Sequence, residues 1–263
     1  MELKGRGEKW AWLMRAWEQI RDGGAVLLYP EECRVCGGRV EGWAEGIACR
    51  ACWKSIEALR ATWPVCDRCG EWFSPGQSLG AGCAGCPLEG EKGLVVARSV
   101  GPHQGALRES VLWLKRHPGL AQRAGDLLLA TWKDLPGRAE IEAILPVPLH
   151  AEREKERGFN QAEVIARWLG REVGLPVEMT SLLRQRSTER HRFGMGRKER
   201  LRSLKGAFRV RTPRLIEGRS LLVVDDVMTT GTTALAVGTT LCDAGATSVR
   251  LLTLTRALGR PTR

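Results

Sequence analysis

From residue 93 onward, apolar positions come in two alternating textures: short continuous runs and stretches spaced at three and four residues. GLVVARSV at 93–100 reads as a strand, and so does the segment from Ile141 to Leu149. Between them, Gln104 to Arg116 and Leu120 to Lys133 carry helical spacing. The stretch from Asn160 to Val173 sets Ala162, Ile165, Ala166, Leu169 and Val173 on one helix face, and Gly174 and Pro176 then stop it. A strand at 221–226, a helix at 233–244 and a strand at 248–255 complete the series. Strands alternating with helices predict an α/β fold with a mainly parallel sheet and helices on both faces. Near the amino terminus, residues 8–21 space Trp10, Leu13, Trp17 and Ile20 or Arg21 as an amphipathic helix that docks on the body of the protein.

Residues 25–92 break this texture, with little apolar content and eight of the nine cysteines. These form four CxxC pairs: Cys33 and Cys36, Cys49 and Cys52, Cys66 and Cys69, Cys83 and Cys86. Two such turns on facing hairpins complete a tetrahedral sulfur shell, so sequential pairing predicts two zinc ribbons, 33–52 and 66–86. Disulfides need an oxidising compartment, and four evenly spaced pairs are not the redox pattern. Iron also takes four-cysteine sites. So small an apolar content calls for metal, whose apparent binding of roughly 10–16 kcal/mol can supply the missing stability. Four thiolates leave no open position for substrate, so the role is structural. Trp43, Trp53, Trp63 and Trp72 are expected to pack around the metal sites, an exposed one being able to stack a nucleobase, and Cys242 reads as a small buried hydrophobe. The division is then an amphipathic helix over 1–24, a double zinc ribbon over 25–92 and the α/β domain over 93–263.

The chemistry concentrates at 221–234, LLVVDDVMTTGTTA. Asp225 and Asp226 fall at the carboxyl end of a buried strand. Thr229, Thr230, Gly231, Thr232 and Thr233 then offer hydroxyls and backbone amides where a helix begins. Unpaired amides and the positive end of a helix dipole bind phosphate. With adjacent carboxylates for hydroxyls, the segment suits ribose 5-phosphate. The bland alternative is a strand, a turn and a helix with Thr as an ordinary N-cap. Adjacent strand residues point to opposite faces, so both carboxylates reach one sugar only if the strand ends between them.

A formal net charge of +11 favours polyanionic partners. Most of the excess sits in 184–205, where nine Lys/Arg face Glu189 and Glu199. No signal-peptide core and no apolar run of membrane-spanning length occurs in the sequence, which makes the cytoplasm the default expectation. After the 141–149 strand, Pro146, Val147 and Pro148 stiffen its exit, and Arg153 and Arg157 become available to a polyanion unless Glu152, Glu154 and Glu156 pair with them.

The 221–234 string resembles the phosphoribosyl pyrophosphate signature of type I phosphoribosyltransferases. In order, LLYPEECRVCG at 27–37, the four CxxC pairs, PVPLH with RGFNQA, ERLRSLKGAF and VVDDVMTTGTT resemble the ComF family. That family joins a double zinc ribbon to a type I phosphoribosyltransferase-like domain and is associated with natural competence and the handling of incoming single-stranded DNA. The resemblance implies that Asp225 and Asp226 hold ribose hydroxyls and that the TTGTT turn holds the 5-phosphate. It implies that Pro146 to His150 face pyrophosphate with magnesium, and that 184–205, with Arg186 and Arg192, forms a flexible hood over the site. Where the family has Tyr and Gln, this chain has His103 and His191. An enzyme of this kind transfers a pentosyl group to a nitrogen acceptor, here of unknown identity. The other expectation is a non-catalytic module that keeps the fold and binds nucleic acid or competence partners.

Overall fold

A computed structural model describes residues 31–42, 44–76, 83, 86, 94–186, 204 and 206–258. The predicted amino-terminal helix, Trp43 and the hood residues 187–203 and 205, His191 and Arg192 among them, lie outside the described residues.

Four parallel strands form the central sheet: β1 (Val96–Pro102), β2 (Ala143–Pro146), β5 (Ser220–Met228) and β6 (Ser248–Arg256), in the order β1-β6-β5-β2. Both edges are covered. The Ala97 N–H on β1 donates to the Arg68 carbonyl at 2.9 Å, and the Pro176–Glu178 segment bonds both ways to Ile144 on β2. Unpaired edge groups are thereby withdrawn from other chains.

Alternation along the strands sorts two cores. Val96, Val100, Ile144, Leu222, Val224, Leu252 and Leu254 face one layer. It contains α1 (Arg50–Thr62), α2 (Gly105–Leu114), α3 (Gln122–Lys133) and α5 (Gln161–Val173). Ala97, Ala143, Leu145, Leu221, Val223, Val249 and Leu251 face the other. There α6 (Thr232–Asp243) packs beside an antiparallel pair, β3 (Leu182–Arg184) with β4 (Phe208–Val210). Cys242 of α6 lies half-buried against this second core. The predicted parallel sheet with helices on both faces is therefore the architecture.

Three departures carry physical reasons. The strand expected at 141–149 ends at Pro146, because α4 (Ala151–Arg157) starts soon after with His150 as its cap. The helix α1 was not anticipated, since the cysteine spacing of that stretch dominates its pattern. Its Trp53 and Ile56 are buried, and the Trp53 indole donates to the Glu45 carbonyl at 2.8 Å. Finally, β5 does not stop at the acidic pair but runs on to Met228, because β6 offers partners as far as Arg256.

Candidate functional site

At the carboxyl end of β5 the chain leaves the sheet through Thr229 and Thr230 and enters α6 at Gly231. Gly231 has φ of 76°, in the left-handed region that glycine adopts without strain, and no side-chain bond caps the helix. The N-cap is thus a residue without a side chain, not the threonine of the bland alternative. The first-turn amides of a helix have no intrahelical partner, and here no cap hydroxyl occupies them. The Thr230 and Thr232 hydroxyls lie 3.0 Å apart within the turn.

A small cleft opens beside this turn, lined among others by Asp225, Thr229, Gly231, Thr233, Leu251 and Thr253. The continuing strand decides which carboxylate enters it. Asp225 shares the sheet face of Val223 and lines the cleft, whereas Asp226 is absent from its lining; the Asp226 charge acts on His103, and its side chain also interacts with that of Asp225. The expectation that both could meet one sugar required a strand ending between them. The strand runs on, and Asp225 is the one of the two that lines the cleft. They remain coupled through the Asp226 N–H, which donates to Asp225 Oδ1 at 2.8 Å.

Asp225 keeps some surface in the cleft, yet burial, with the Asp226 carboxylate beside it, pushes its carboxyl well above the usual carboxylate range. The cation opposing this is Arg184, at the end of β3, not the exposed Arg186. Burial and the neighbouring Arg153 charge lower the Arg184 pKa, and its guanidinium lies 5.5 Å from the centre of the Phe208 ring. Arg184 is therefore a basic side chain whose charge reaches Asp225, and Arg153 acts on Arg184 in turn. Sequence reasoning placed Arg184 in the basic segment without singling it out; the apolar Leu182 and Leu183 before it were the available signal of a strand.

The loop after β2 approaches from the other side. Pro146 pairs in register with Val224, and the Val147 N–H donates to the Val224 carbonyl at 2.9 Å. Pro146, Val147 and Pro148 consequently leave the sheet next to Asp225. Asn160, which the sequence reading had used only as a helix start, holds this loop. Its side-chain oxygen accepts from the Ala162 N–H, and its Nδ2 donates to the Val147 carbonyl, both at 3.0 Å. Arg157 is exposed on α4 and donates to the Gln161 carboxamide oxygen at 2.9 Å; the Gln161 Nε2 is buried without a hydrogen-bond partner. The His103 Nδ1 lies 2.9 Å from the Thr255 hydroxyl. Burial, helped by Lys115 and Arg108, lowers the His103 pKa.

The eight CxxC cysteines form two quartets, Cys33, Cys36, Cys49 and Cys52, and Cys66, Cys69, Cys83 and Cys86. Within each, all sulfurs lie within 4.8 Å of one another. Separations are 3.7 Å for Cys33 and Cys52, 3.8 Å for Cys36 and Cys49, and 3.8 Å for Cys69 and Cys83. A tetrahedral shell with Zn–S near 2.3 Å sets its sulfurs about 3.8 Å apart. The donor sets fit zinc, and four thiolates close the coordination sphere. Trp53 and Trp72 are buried beside these centres, and Trp63 is partly exposed.

Among the described residues no helix is long and apolar enough to cross a membrane. Residues 25–87 match the model of the double zinc ribbon domain, and residues 155–262 that of the phosphoribosyl transferase domain. The chain is 30% identical over 244 residues to the DNA utilization protein YhgH of Escherichia coli O157:H7, covering 89% of this chain and all of that one. Competence protein F of Haemophilus influenzae is 28% identical over 236 residues, 86% of this chain and 96% of that protein. Competence protein ComFC of Bacillus subtilis is 33% identical over 115 residues, 43% of this chain and 44% of the relative.

Proposed function

Because the chain belongs to the family of DNA utilization protein YhgH and competence protein F, a double zinc ribbon joined to a phosphoribosyl transferase domain, we propose that it binds phosphoribosyl pyrophosphate and serves in the uptake or use of DNA. The observation that carries the ligand is the glycine-capped amino terminus of α6, which opens on a cleft with a single carboxylate, Asp225. First-turn amides and the helix dipole would hold the 5-phosphate, with the Thr229, Thr230 and Thr233 hydroxyls around it. Asp225 would accept from the ribose hydroxyls, and its raised proton affinity falls when those donors replace water.

The pyrophosphate end would lie toward Val147 and Pro148, with Arg184 and Arg153 supplying positive charge and the hood residues, Arg186 included, closing over it. One carboxylate beside a phosphate-binding turn is too small a set for an all-protein magnesium cage and fits magnesium carried by the ligand's own oxygens. Magnesium, when bound, would neutralise the departing pyrophosphate. The chain's own part is to align C1 for attack by a nitrogen nucleophile and to hold the anion that leaves.

A second reading rests on the basic segment 184–205 with its nine Lys/Arg: the domain keeps the fold without catalysis and holds single-stranded nucleic acid. Such binding would weaken linearly in log salt, with a slope that counts phosphate contacts.

The test is calorimetric titration of phosphoribosyl pyrophosphate with magnesium into zinc-loaded protein. Binding is expected in the wild type, lost in Asp225→Asn and weakened far less in Asp226→Asn. Equal binding by wild type and Asp225→Asn would remove the site assignment. No binding by wild type, together with salt-dependent retention of single-stranded DNA, would favour the second reading.

A further inference from the structure

Arg256 ends β6, and its side chain is only 3% exposed. Its Nε donates to the Glu71 carboxylate. One terminal nitrogen donates to the Cys69 carbonyl at 2.9 Å and meets the Met228 sulfur at 2.8 Å, and the other reaches the Cys69 sulfur at 3.8 Å. Glu71 and Cys69 belong to the second ribbon. Met228 is the last residue of β5, directly before Thr229, and its carbonyl accepts from the Ala257 N–H at 2.9 Å. The guanidinium therefore occupies the junction between a zinc ligand and the strand exit that leads into the phosphate turn.

The ribbon closes on the sheet at two further points. The Arg98 guanidinium donates to the Asp67 carbonyl at 2.8 Å. Gly70, at φ of +66°, comes so near β1 that a Cβ there would lie 2.7 Å from the Ala97 carbonyl oxygen.

A zinc ion with four thiolates carries net negative charge, and outer-shell hydrogen bonds to ligand sulfur tune and orient such centres. A buried guanidinium needs that charge, because a buried cation deprived of its partners is strongly unfavourable. We infer that Arg256 is a positioning residue that makes the geometry of the Thr229–Thr233 turn depend on zinc in the second ribbon. With zinc bound, Cys69 and Glu71 fix the guanidinium, and the guanidinium fixes Met228. Once the metal is lost, the Cys69 turn loosens, Arg256 turns toward water, and the β5 exit loses its support. The first ribbon offers no such route. Cys33, Cys49 and Cys52 pack into the core on the opposite face of the sheet, and the half-buried Arg60 of the following helix α1 reaches the Val100 carbonyl and the Thr131 hydroxyl, away from the turn. For the ligand, the inference rests on the sugar-phosphate reading above; for the turn itself it does not.

The experiment compares full-length, zinc-loaded wild type, Arg256→Met, Arg256→Lys, Cys83→Ser and Arg60→Met. Hydrogen exchange is measured at residues 229–235 and in the core strands, alongside release of zinc to a chromogenic chelator and titration with phosphoribosyl pyrophosphate and magnesium. In Arg256→Met and Cys83→Ser, exchange in the turn is expected to rise at least tenfold while residues 221–224 stay protected. Arg256→Met should release one of two zinc ions faster and bind ligand at least tenfold more weakly, and Arg256→Lys should recover part of both. Arg60→Met should lower stability with the turn unchanged. Turn exchange equal to wild type in either Arg256→Met or Cys83→Ser overturns the coupling. Should Cys83→Ser lose core protection as well, Arg256→Lys decides: a turn no better protected than in Arg256→Met overturns the proposal, and partial recovery supports it. Absence of ligand binding by wild type defeats the sugar-phosphate reading alone, since the exchange comparison still tests the coupling.

Discussion

The two ribbons carry the same ligand set at nearly the same spacing, but they join the sheet on opposite faces and by different means. In the first, the second CxxC runs straight into α1, and that helix buries Trp53 and Ile56 in the core shared with α2, α3 and α5. Glu45, itself buried, ties the ribbon to Arg50 at 3.1 Å and to Arg123 of α3 at 3.2 Å. The Arg34 guanidinium lies 4.5 Å over the Trp113 ring of α2. Apolar area does most of the joining, and such area is insensitive to the state of any single atom. The second ribbon has no described helix of its own. Its cysteines and Phe73 pack against the second core, and it is tied to β1 by the Ala97–Arg68 main-chain bond and the Arg98–Asp67 bond and to the strand ends by one buried arginine. Directional polar contacts transmit a change of geometry that a hydrophobic interface would absorb. One metal site thus serves the fold, while its near-copy sits where it can serve the site.

The largest effect that would sharpen this contrast is in the first ribbon. Trp53→Ala empties a fully buried position and should cost about 3–5 kcal/mol in urea unfolding, while affinity for sugar phosphate in the folded fraction stays within about twofold of wild type. A large loss of affinity in this variant would break the division of labour. Next is Gly70→Ala, which meets the Ala97 carbonyl at 2.7 Å and forces a side chain into a positive-φ position. Roughly 1–3 kcal/mol of strain is expected, read as faster zinc release from the second ribbon and more rapid exchange of the Ala97 amide.

The smallest change in stability belongs to Asp225→Asn. The Asp225 carboxyl holds its proton more tightly in the folded chain than in the unfolded one. Stability must therefore fall as pH rises from the unfolded carboxylate range through the folded value. Removing the carboxylate should raise Tm by about 2–4 °C at pH 8, on the order of 1 kcal/mol. The gain should shrink toward pH 4 as the wild-type group keeps its proton in both states. Loss of sugar-phosphate binding in the same variant would make it a stabilised but inactive protein, the signature of a residue kept for function. A Tm that falls, or does not depend on pH, would place the burial of Asp225 in error.

Much of this was legible locally. CxxC spacing identified the eight ligands and their pairing, because two thiolates three residues apart converge on one point in any short turn. Asn160 to Val173 announced its helix, its cap and its glycine stop, all of which the chain adopts. TTGTT marked the turn, although the residue at the N-cap is its glycine rather than a threonine. Less was legible wherever a partner strand or helix decides. Nothing within α1 says that its Trp53 belongs to the core of another segment.

What the sequence determined alone is the chemistry available: sulfur quartets, a turn of threonines around a glycine at a helix start, an acidic pair and a surplus of positive charge. Each depends on residues a few positions apart, whose relative placement the backbone fixes at short range. Which of two adjacent aspartates lines the cleft was decided in the packed molecule, where Thr255 and Arg256 of β6 carry β5 on through Val227 and Met228 before α6 turns back beside Asp225. Likewise, the charge interaction of Arg184 with Asp225 and the contact of Arg256 with Cys69 join residues 41 and 187 positions apart. Such contacts exist only after the sheet has formed, because the burial that gives a charge its partner is a property of the packed molecule.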